Sequence, residues 1–172
     1  MNRASGILMP ITSLPSPYGI GTIGKAAYEF ADFLKRAGQS YWQILPVGPT
    51  SYGDSPYQSF STYAGNPYMI DLDMLQEEGL LKKKDYRNLD WGSDPESVDY
   101  ATIYNLRFDV LRIAFENAKK RDMTDFTNFV RKNSGWLENY ALYMAVKKSF
   151  GMRAWAEGGD GGGRLRDPPR VR

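Results

Sequence analysis

Between residues 7 and 47 the chain reads strand, helix, strand, and that order leaves few folds open. Ile7 to Thr12 is a short apolar run closed by proline-rich turn chemistry, which predicts a buried strand. Leu14 to Gly24 follows as a loop punctuated by Pro15, Pro17, Gly19, Gly21 and Gly24. The next segment predicts a helix over Lys25 to Ala37, with Ala26, Phe30, Phe33, Leu34 and Ala37 on one stripe. Gly38 stands where a helix-ending glycine belongs. Tyr41 to Val47 then reads as a second buried strand, ended by Gly48 and Pro49. A strand, a helix and a strand in that order give a parallel pair with a right-handed crossover. Both strands end on one side of the sheet, so the loops Leu14–Gly24 and Gly48–Asn66 leave from the same edge. In parallel α/β folds that edge is where ligands bind.

The second loop is unusual. Ser51 to Tyr68, SYGDSPYQSFSTYAGNPY, holds four of the 12 Tyr, with Phe60, Asp54, Gln58 and Asn66. Gly53, Pro56, Gly65 and Pro67 interrupt any regular ladder through it. A loop so aromatic lays its rings on something, either the protein's own body or a ligand. Tyr has a flat apolar face and a polar tip, which suits the C–H faces and hydroxyl edges of a sugar. Asp, Asn, Gln and Ser nearby can accept from and donate to those hydroxyls. On these residues alone, a self-packed surface loop and a ligand-holding loop both remain open.

The first loop contains Gly19-Ile20-Gly21-Thr22-Ile23-Gly24, which matches the dinucleotide glycine pattern. That site needs its tight turn directly after the strand and a carboxylate at the end of the second strand. Here Leu14 to Tyr18 intervene, and the second strand ends in Leu45-Pro46-Val47-Gly48 without an acid. The glycines are therefore read as a close-packed turn into the helix. Backbone N–H groups at the helix start remain available to a ligand oxygen.

Farther on, Tyr68 to Leu72 reads as a third short extended segment. Asp71 and Asp73 read either as a carboxylate pair on one face or, in the preferred form, with Asp73 capping a short helix from Met74 to Glu78. Lys82-Lys83-Lys84 is a solvated charge run. Ala101 to Arg121 predicts a long helix with two apolar stripes. One is Ile103, Leu106, Val110 and Ala114; the other is Tyr104, Phe108, Leu111 and Phe115. A helix apolar on two sides is packed between neighbours. Shorter helices start near Thr124 and run through Trp136, Tyr140 and Met144 to Phe150, with their aromatics read as core. No third buried strand separates these helices. Gly158 to Gly163 and the arginines around Pro168-Pro169 offer nothing to bury, which predicts disorder.

Residue content narrows the chemistry. The chain has no Cys and no His, so disulfides, thiolate sites and imidazole bases are excluded. Catalysis would run on carboxylates, Tyr or Lys. A net charge of +2 is too small to argue for nucleic acid or an anionic membrane as a partner, and neither is expected. No apolar run reaches the roughly 20 residues of a membrane span. MNRASGILMP lacks a signal-peptide pattern, so a cytoplasmic location is expected.

Several long stretches, in one order, resemble the amylomaltases, the 4-α-glucanotransferases or disproportionating enzymes of starch and maltodextrin metabolism. They are Gly6-Ile7-Leu8-Met9-Pro10-Ile11-Thr12-Ser13-Leu14-Pro15-Ser16, Trp42-Gln43-Ile44-Leu45-Pro46-Val47-Gly48-Pro49-Thr50, and Ser51-Tyr52-Gly53-Asp54-Ser55-Pro56-Tyr57-Gln58. Ala64-Gly65-Asn66-Pro67-Tyr68 continues the match, which loosens and stops near Trp155 or Ala156. The resemblance implies an α/β fold: residues 1–72 as the first β-α-β unit of a TIM-type barrel with its aromatic loop, and 73–155 as a mostly helical inserted subdomain. Residues 156–172 are a Gly/Arg/Pro tail outside the match. It also implies α-1,4-glucans, maltooligosaccharides and starch as partners, with no cofactor and no metal. Tyr57 matches the family tyrosine that lies against the sugar at the cleavage site, with Ser55 beside it. Tyr52 matches an aromatic of a second glucan contact, and Asp54 is assigned to holding the loop. The family's catalytic carboxylates lie on later barrel strands, and no residue here matches them.

The expected reading is the N-terminal portion of such an enzyme, with a non-catalytic carbohydrate-binding module as the alternative. Retaining transfer requires two carboxylates about 5 Å apart across one glycosidic bond. Neither predicted strand ends in Asp or Glu. Purified 172-residue protein incubated with maltotriose is therefore expected to yield neither glucose nor longer maltodextrins by chromatography. Products that survive removal of contaminating enzymes would contradict this.

Overall fold

The structure is a computed structural model that describes residues 3–51, 53–94 and 96–152. Tyr52 and the predicted tail, 156–172, lie outside the described residues. The chain divides into two compact units, Met1–Asp125 and Phe126–Arg172.

The first unit opens with the parallel pair expected from the sequence. Strand β1 (Gly6–Leu8) and strand β2 (Tyr41–Gln43) pair in register Gly6 with Tyr41, Ile7 with Trp42 and Leu8 with Gln43. Helix α1 (Lys25–Arg36) connects them, and Gly38 at φ 69° turns the chain out of it. Both strands are shorter than the apolar runs that suggested them. Pro10 has no N–H to continue the ladder, and Ile11–Ser13 winds into a 3₁₀ turn. Beyond β2, Pro46 imposes the same limit.

The expectation that both strands are buried does not hold. Leu8 is 55% exposed and Tyr41 67% exposed. Among the described residues the sheet has two strands and nothing covers its open side. A parallel pair is buried only when layers cover both faces. Here one small cluster of Ile11, Leu14, Ala27 and Met69 lies on one side, with Phe30 and Trp42 packed against it edge to face at 5.0 Å.

The main core forms around a short helix, α2 (Leu72–Glu77), and a long one, α3 (Tyr100–Ala118). Tyr18, Ile20, Tyr68 and Leu72 meet Leu81, Tyr86, Trp91, Ile103, Val110 and Ala114. Leu72, Tyr86 and Ile103 are completely buried. Each large apolar side chain so buried contributes roughly 1.5–3 kcal/mol. Of the two stripes predicted on α3, only the first is buried. Tyr104, Phe108 and Phe115 of the second are exposed. At the far end, Arg121 donates to Glu78 O at 2.6 Å and to Gly79 O at 2.7 Å, satisfying carbonyls where α2 stops.

Helix α4 (Thr124–Lys132), which begins at the end of the first unit, and α5 (Ser134–Ser149) follow the predicted bounds closely. No residue of either helix is buried, against the expectation of core aromatics. Trp136, Leu137, Tyr140 and Met144 form a half-buried stripe on α5, with Trp136 and Tyr140 6.1 Å apart. Among the described residues no helix is long and apolar enough to cross a membrane.

The first turn of α2 differs most from its sequence reading. Asp71, not Asp73, caps the helix: its side chain accepts from Met74 N at 2.9 Å, and the helix starts at Leu72. Asp73 is thereby free to turn inward, where its Oδ1 accepts from Tyr18 Oη at 2.8 Å and Tyr86 Oη at 2.6 Å. Those two rings meet edge to face at 5.1 Å. A shared acceptor for two phenols is costly to remove, because the buried Tyr86 hydroxyl then loses its acceptor, while the Tyr18 hydroxyl keeps only the Arg87 guanidinium beside it. Asp73→Ala is expected to lower the stability measured by urea denaturation by about 2–3 kcal/mol, against about 1 kcal/mol for Tyr86→Phe. Equal losses would show that the carboxylate does not hold both rings.

Candidate functional site

Two backbone loops leave the strand ends, and a set of polar groups ties them together. The chain continues past β1 with Met9 N donating to Gln43 O at 3.0 Å, while Trp42 Nε1 donates to Met9 O at 2.8 Å. The first loop returns to this region through Gly21, whose N–H donates to Thr12 O at 3.0 Å. Thr22 Oγ1 then donates to Asp71 Oδ2 at 2.5 Å, and Ile23 N donates to Met69 O at 2.9 Å. One Asp71 oxygen therefore holds the first loop while the other caps α2.

This explains the glycine pattern. A Cβ at Gly21 would overlap the Ile11 carbonyl, and a Cβ at Gly24 would overlap the Asp71 carboxylate. The turn is close-packed protein, and the acid at the start of α1 is the chain's own. A negative charge there is favoured by the helix dipole.

The aromatic loop is pinched at its base, where Asn66 N donates to Val47 O at 2.8 Å. The Asn66 side chain accepts from Tyr68 N at 3.0 Å, starting the 3₁₀ turn Pro67–Met69. Inside the loop, Ser59 Oγ donates to Ser61 O at 2.7 Å, and Ser61 Oγ accepts from Ala64 N at 3.0 Å. Side chains of Ser and Asn supply the turn bonds that a ladder would otherwise supply.

Three of the four expected site residues share this loop, and the fourth, Tyr52, lies outside the described residues. Tyr57 is 73% exposed and presents its ring to solvent. Ser55 Oγ accepts from Tyr57 N at 3.4 Å, and Ser55 O accepts from Gln58 N at 3.1 Å, so Ser55 shapes the turn that carries the ring. Asp54 is half-buried at φ 55°, a left-handed conformation that Asp tolerates better than most residues. Its N–H donates to Ser51 O at 3.0 Å. Burial raises the Asp54 carboxyl above the ordinary carboxylate range.

Beneath the loop lies a layer of rings: Tyr68 is 6.3 Å from Tyr100 and 5.9 Å from Phe108, with Tyr104 5.6 Å from Phe108. The phenol of Tyr68 is pushed up to about 12, first by burial and then by the Asp54 charge. Tyr100 is raised by the same two causes in the same order.

Sequence reasoning missed Arg107. It occupies the buried stripe of α3 at the spacing Ile103, Arg107, Val110, Ala114 and is completely buried. Its Nη2 donates to Ile70 O, and its guanidinium lies 5.9 Å from the centre of the Trp91 ring. Desolvation lowers its pKa to about 10, while the Asp71 charge favours the charged form. Arg107 thus fixes the segment between the aromatic loop and α2. A charged residue interrupting an apolar stripe was the available signal.

A family model described as 4-alpha-glucanotransferase matches residues 9–170, past Trp155, where the sequence reading ends the resemblance. A 4-alpha-glucanotransferase of Streptococcus pneumoniae is 53% identical over 169 residues, covering 95% of this chain and 33% of that protein. Another, from Thermus thermophilus, is 46% identical over 157 residues, covering 89% of this chain and 30% of its own. Among solved structures, an amylomaltase from Streptococcus agalactiae in complex with acarbose superposes with a TM-score of 0.86 at 48% identity. That match covers 91% of this chain and 32% of the other. The chain spans about a third of the length of the curated relatives it matches.

The buried phenols give the site a pH limit. Tyr68, Tyr18 and Tyr86 all hold their protons more tightly than an exposed tyrosine, each chiefly because of burial. The folded state therefore keeps more protons than the unfolded chain at alkaline pH, and stability falls as pH rises. The contribution of Tyr68 is full below pH 10 and lost as pH climbs from 10 through about 12. Phenolate absorbance of the buried tyrosines should rise together with loss of the far-ultraviolet circular dichroism in that window. Full tyrosine ionisation with the dichroism intact would contradict this.

Proposed function

The chain belongs to the 4-alpha-glucanotransferase family, and on that premise we propose that it carries the glucan-gripping loop of an enzyme that transfers α-1,4-glucan segments between maltodextrins. Such transfer with retention needs a nucleophilic carboxylate and an acid/base carboxylate across the scissile bond, with an oxocarbenium-like transition state. We assign neither role to any residue of this chain. Its part is to bind and orient: an exposed Tyr57 ring for the C–H face of a glucose unit, on a turn shaped by Ser55. Tyr52 is proposed for a second glucan contact, and Asp54 for holding the loop over Tyr68 and Tyr100.

In this reading the β1-α1-β2 unit within residues 1–72 is the start of a TIM-type barrel. Residues 73–155 form a helical subdomain inserted into it. Substrate then lies at the carboxyl edge of the strands, as in such barrels generally. The observation that carries the proposal is the exposed tyrosine on a loop pinned at Val47–Asn66 beyond β2. Acarbose, a sugar analogue, is bound in the similar amylomaltase, which supports glucans as the ligand class.

Positioning energy realised near the reacting bond appears in kcat as well as in KM. In the full-length Streptococcus pneumoniae relative, replacing the tyrosine that matches Tyr57 by Ala is expected to cost about 2 kcal/mol in kcat/KM on maltotriose, about 30-fold. An unchanged kcat/KM would mean that the loop is packing alone.

A further inference from the structure

We propose that Tyr63 is a second sugar platform on the aromatic loop, so that the loop grips two units of one glucan chain. The inference rests on the glucan-binding reading and deepens it. What carries it is a turn that occurs three times among the described residues. In Ser16-Pro17-Tyr18, Ser55-Pro56-Tyr57 and Ser61-Thr62-Tyr63, the tyrosine N–H donates to the hydroxyl of the serine two residues earlier. The distances are 3.1, 3.4 and 3.2 Å in that order. Such a bond fixes the backbone from which the ring leaves. Tyr18 turns into the core and meets Tyr86 and Trp91 edge to face. Tyr57 and Tyr63 present their rings to solvent, 73% and 71% exposed.

The turn before Tyr63 is closely bonded. Ser61 Oγ also accepts from Ala64 N at 3.0 Å, and Ser59 Oγ donates to Ser61 O at 2.7 Å. Gly48, past the end of β2, lies so near that a Cβ there would stand 2.6 Å from Ser59 Oγ. The turn is thus seated against the chain as it leaves the sheet. One exposed ring on a protein surface needs no explanation. Two rings six residues apart, carried by one kind of turn on one loop, form a row. Six residues reach at most about 20 Å, so a single oligosaccharide of several units can span both. A tyrosine has two side-chain torsions, and a backbone already fixed leaves little more to order when sugar binds. An α-1,4-glucan repeats its C–H faces along the chain, which suits a row of flat phenols.

The test is titration of the 172-residue chain with maltose and with maltopentaose, each followed by backbone amide shifts in the NMR spectrum. Tyr63→Ala is expected to weaken maltopentaose binding about fivefold and maltose binding less than about twofold, because only the longer sugar spans both rings. Circular dichroism should stay unchanged, since the ring is exposed. Tyr63→Phe keeps the flat ring and should retain native affinity for maltopentaose. Tyr57→Ala should weaken both sugars. Failure of the native chain to bind either sugar would overturn this inference together with the glucan-binding reading. Binding that needs Tyr57 but is indifferent to Tyr63→Ala, or an equal loss for both sugars, would overturn this inference alone.

Discussion

Two carboxylates two positions apart, Asp71 and Asp73, hold the first unit together. Asp71 spends one oxygen on the helix cap and the other on Thr22. Asp73 faces inward and takes both phenols, Tyr18 and Tyr86. Thr22 and Tyr18 come from the loop after β1, and Tyr86 from the segment beyond α2. Remove this segment and the first loop, the base of the aromatic loop and the helical core lose their common anchor. Neutral phenols and a hydroxyl satisfy the acids, so no ion pair has to be buried to form the junction. Arg107, buried close by, is only partly satisfied: Nη2 donates to the Ile70 carbonyl and the Asp71 charge favours its charged form, while Nε and Nη1 have no hydrogen-bond partner among the described residues.

Local patterns carried much of this fold. The helix α1, the glycine at its end and the parallel pairing of the flanking strands follow from spacing and turn chemistry alone, but of the stripe predicted on α1 only Leu34 is buried, Phe33 is exposed, and Ala27 is buried in its place. What spacing does not encode is how much surface a neighbour covers. Ile7–Thr12 and Tyr41–Val47 are composed as buried strands, yet stand exposed because burial depends on layers that local sequence does not specify. The same holds for the second stripe of α3 and for the aromatics of α4 and α5. Asp71 and Asp73 show a finer limit. Both are good caps, and the choice between them was made by long-range partners, Tyr18, Thr22 and Tyr86, far away in sequence.

The site divides the same way. The aromatic loop and its place beyond β2 follow from composition and topology, and Tyr57 is presented to solvent as a sugar-facing ring would be. The support beneath it does not announce itself: Asn66 closing the base, Asp54 in a left-handed turn, and Arg107 holding the exit. Functional loops are positioned by a scaffold that is stiffer than they are. Here that scaffold is a hydrogen-bonded junction beside an aromatic layer. Close packing at Gly21 and Gly24 serves the junction, which is why a nucleotide-like glycine pattern appears without a nucleotide site.

The central claim is that the Asp71 junction sets the shape of a loop that grips glucan. Backbone amide shifts in the NMR spectrum of the chain, followed during titration with maltotetraose, test it directly. The account predicts changes concentrated in residues 53–66 of the native chain and largely lost in Asp71→Ala with α3 still folded. Changes centred elsewhere, or of equal size in both proteins, would contradict it.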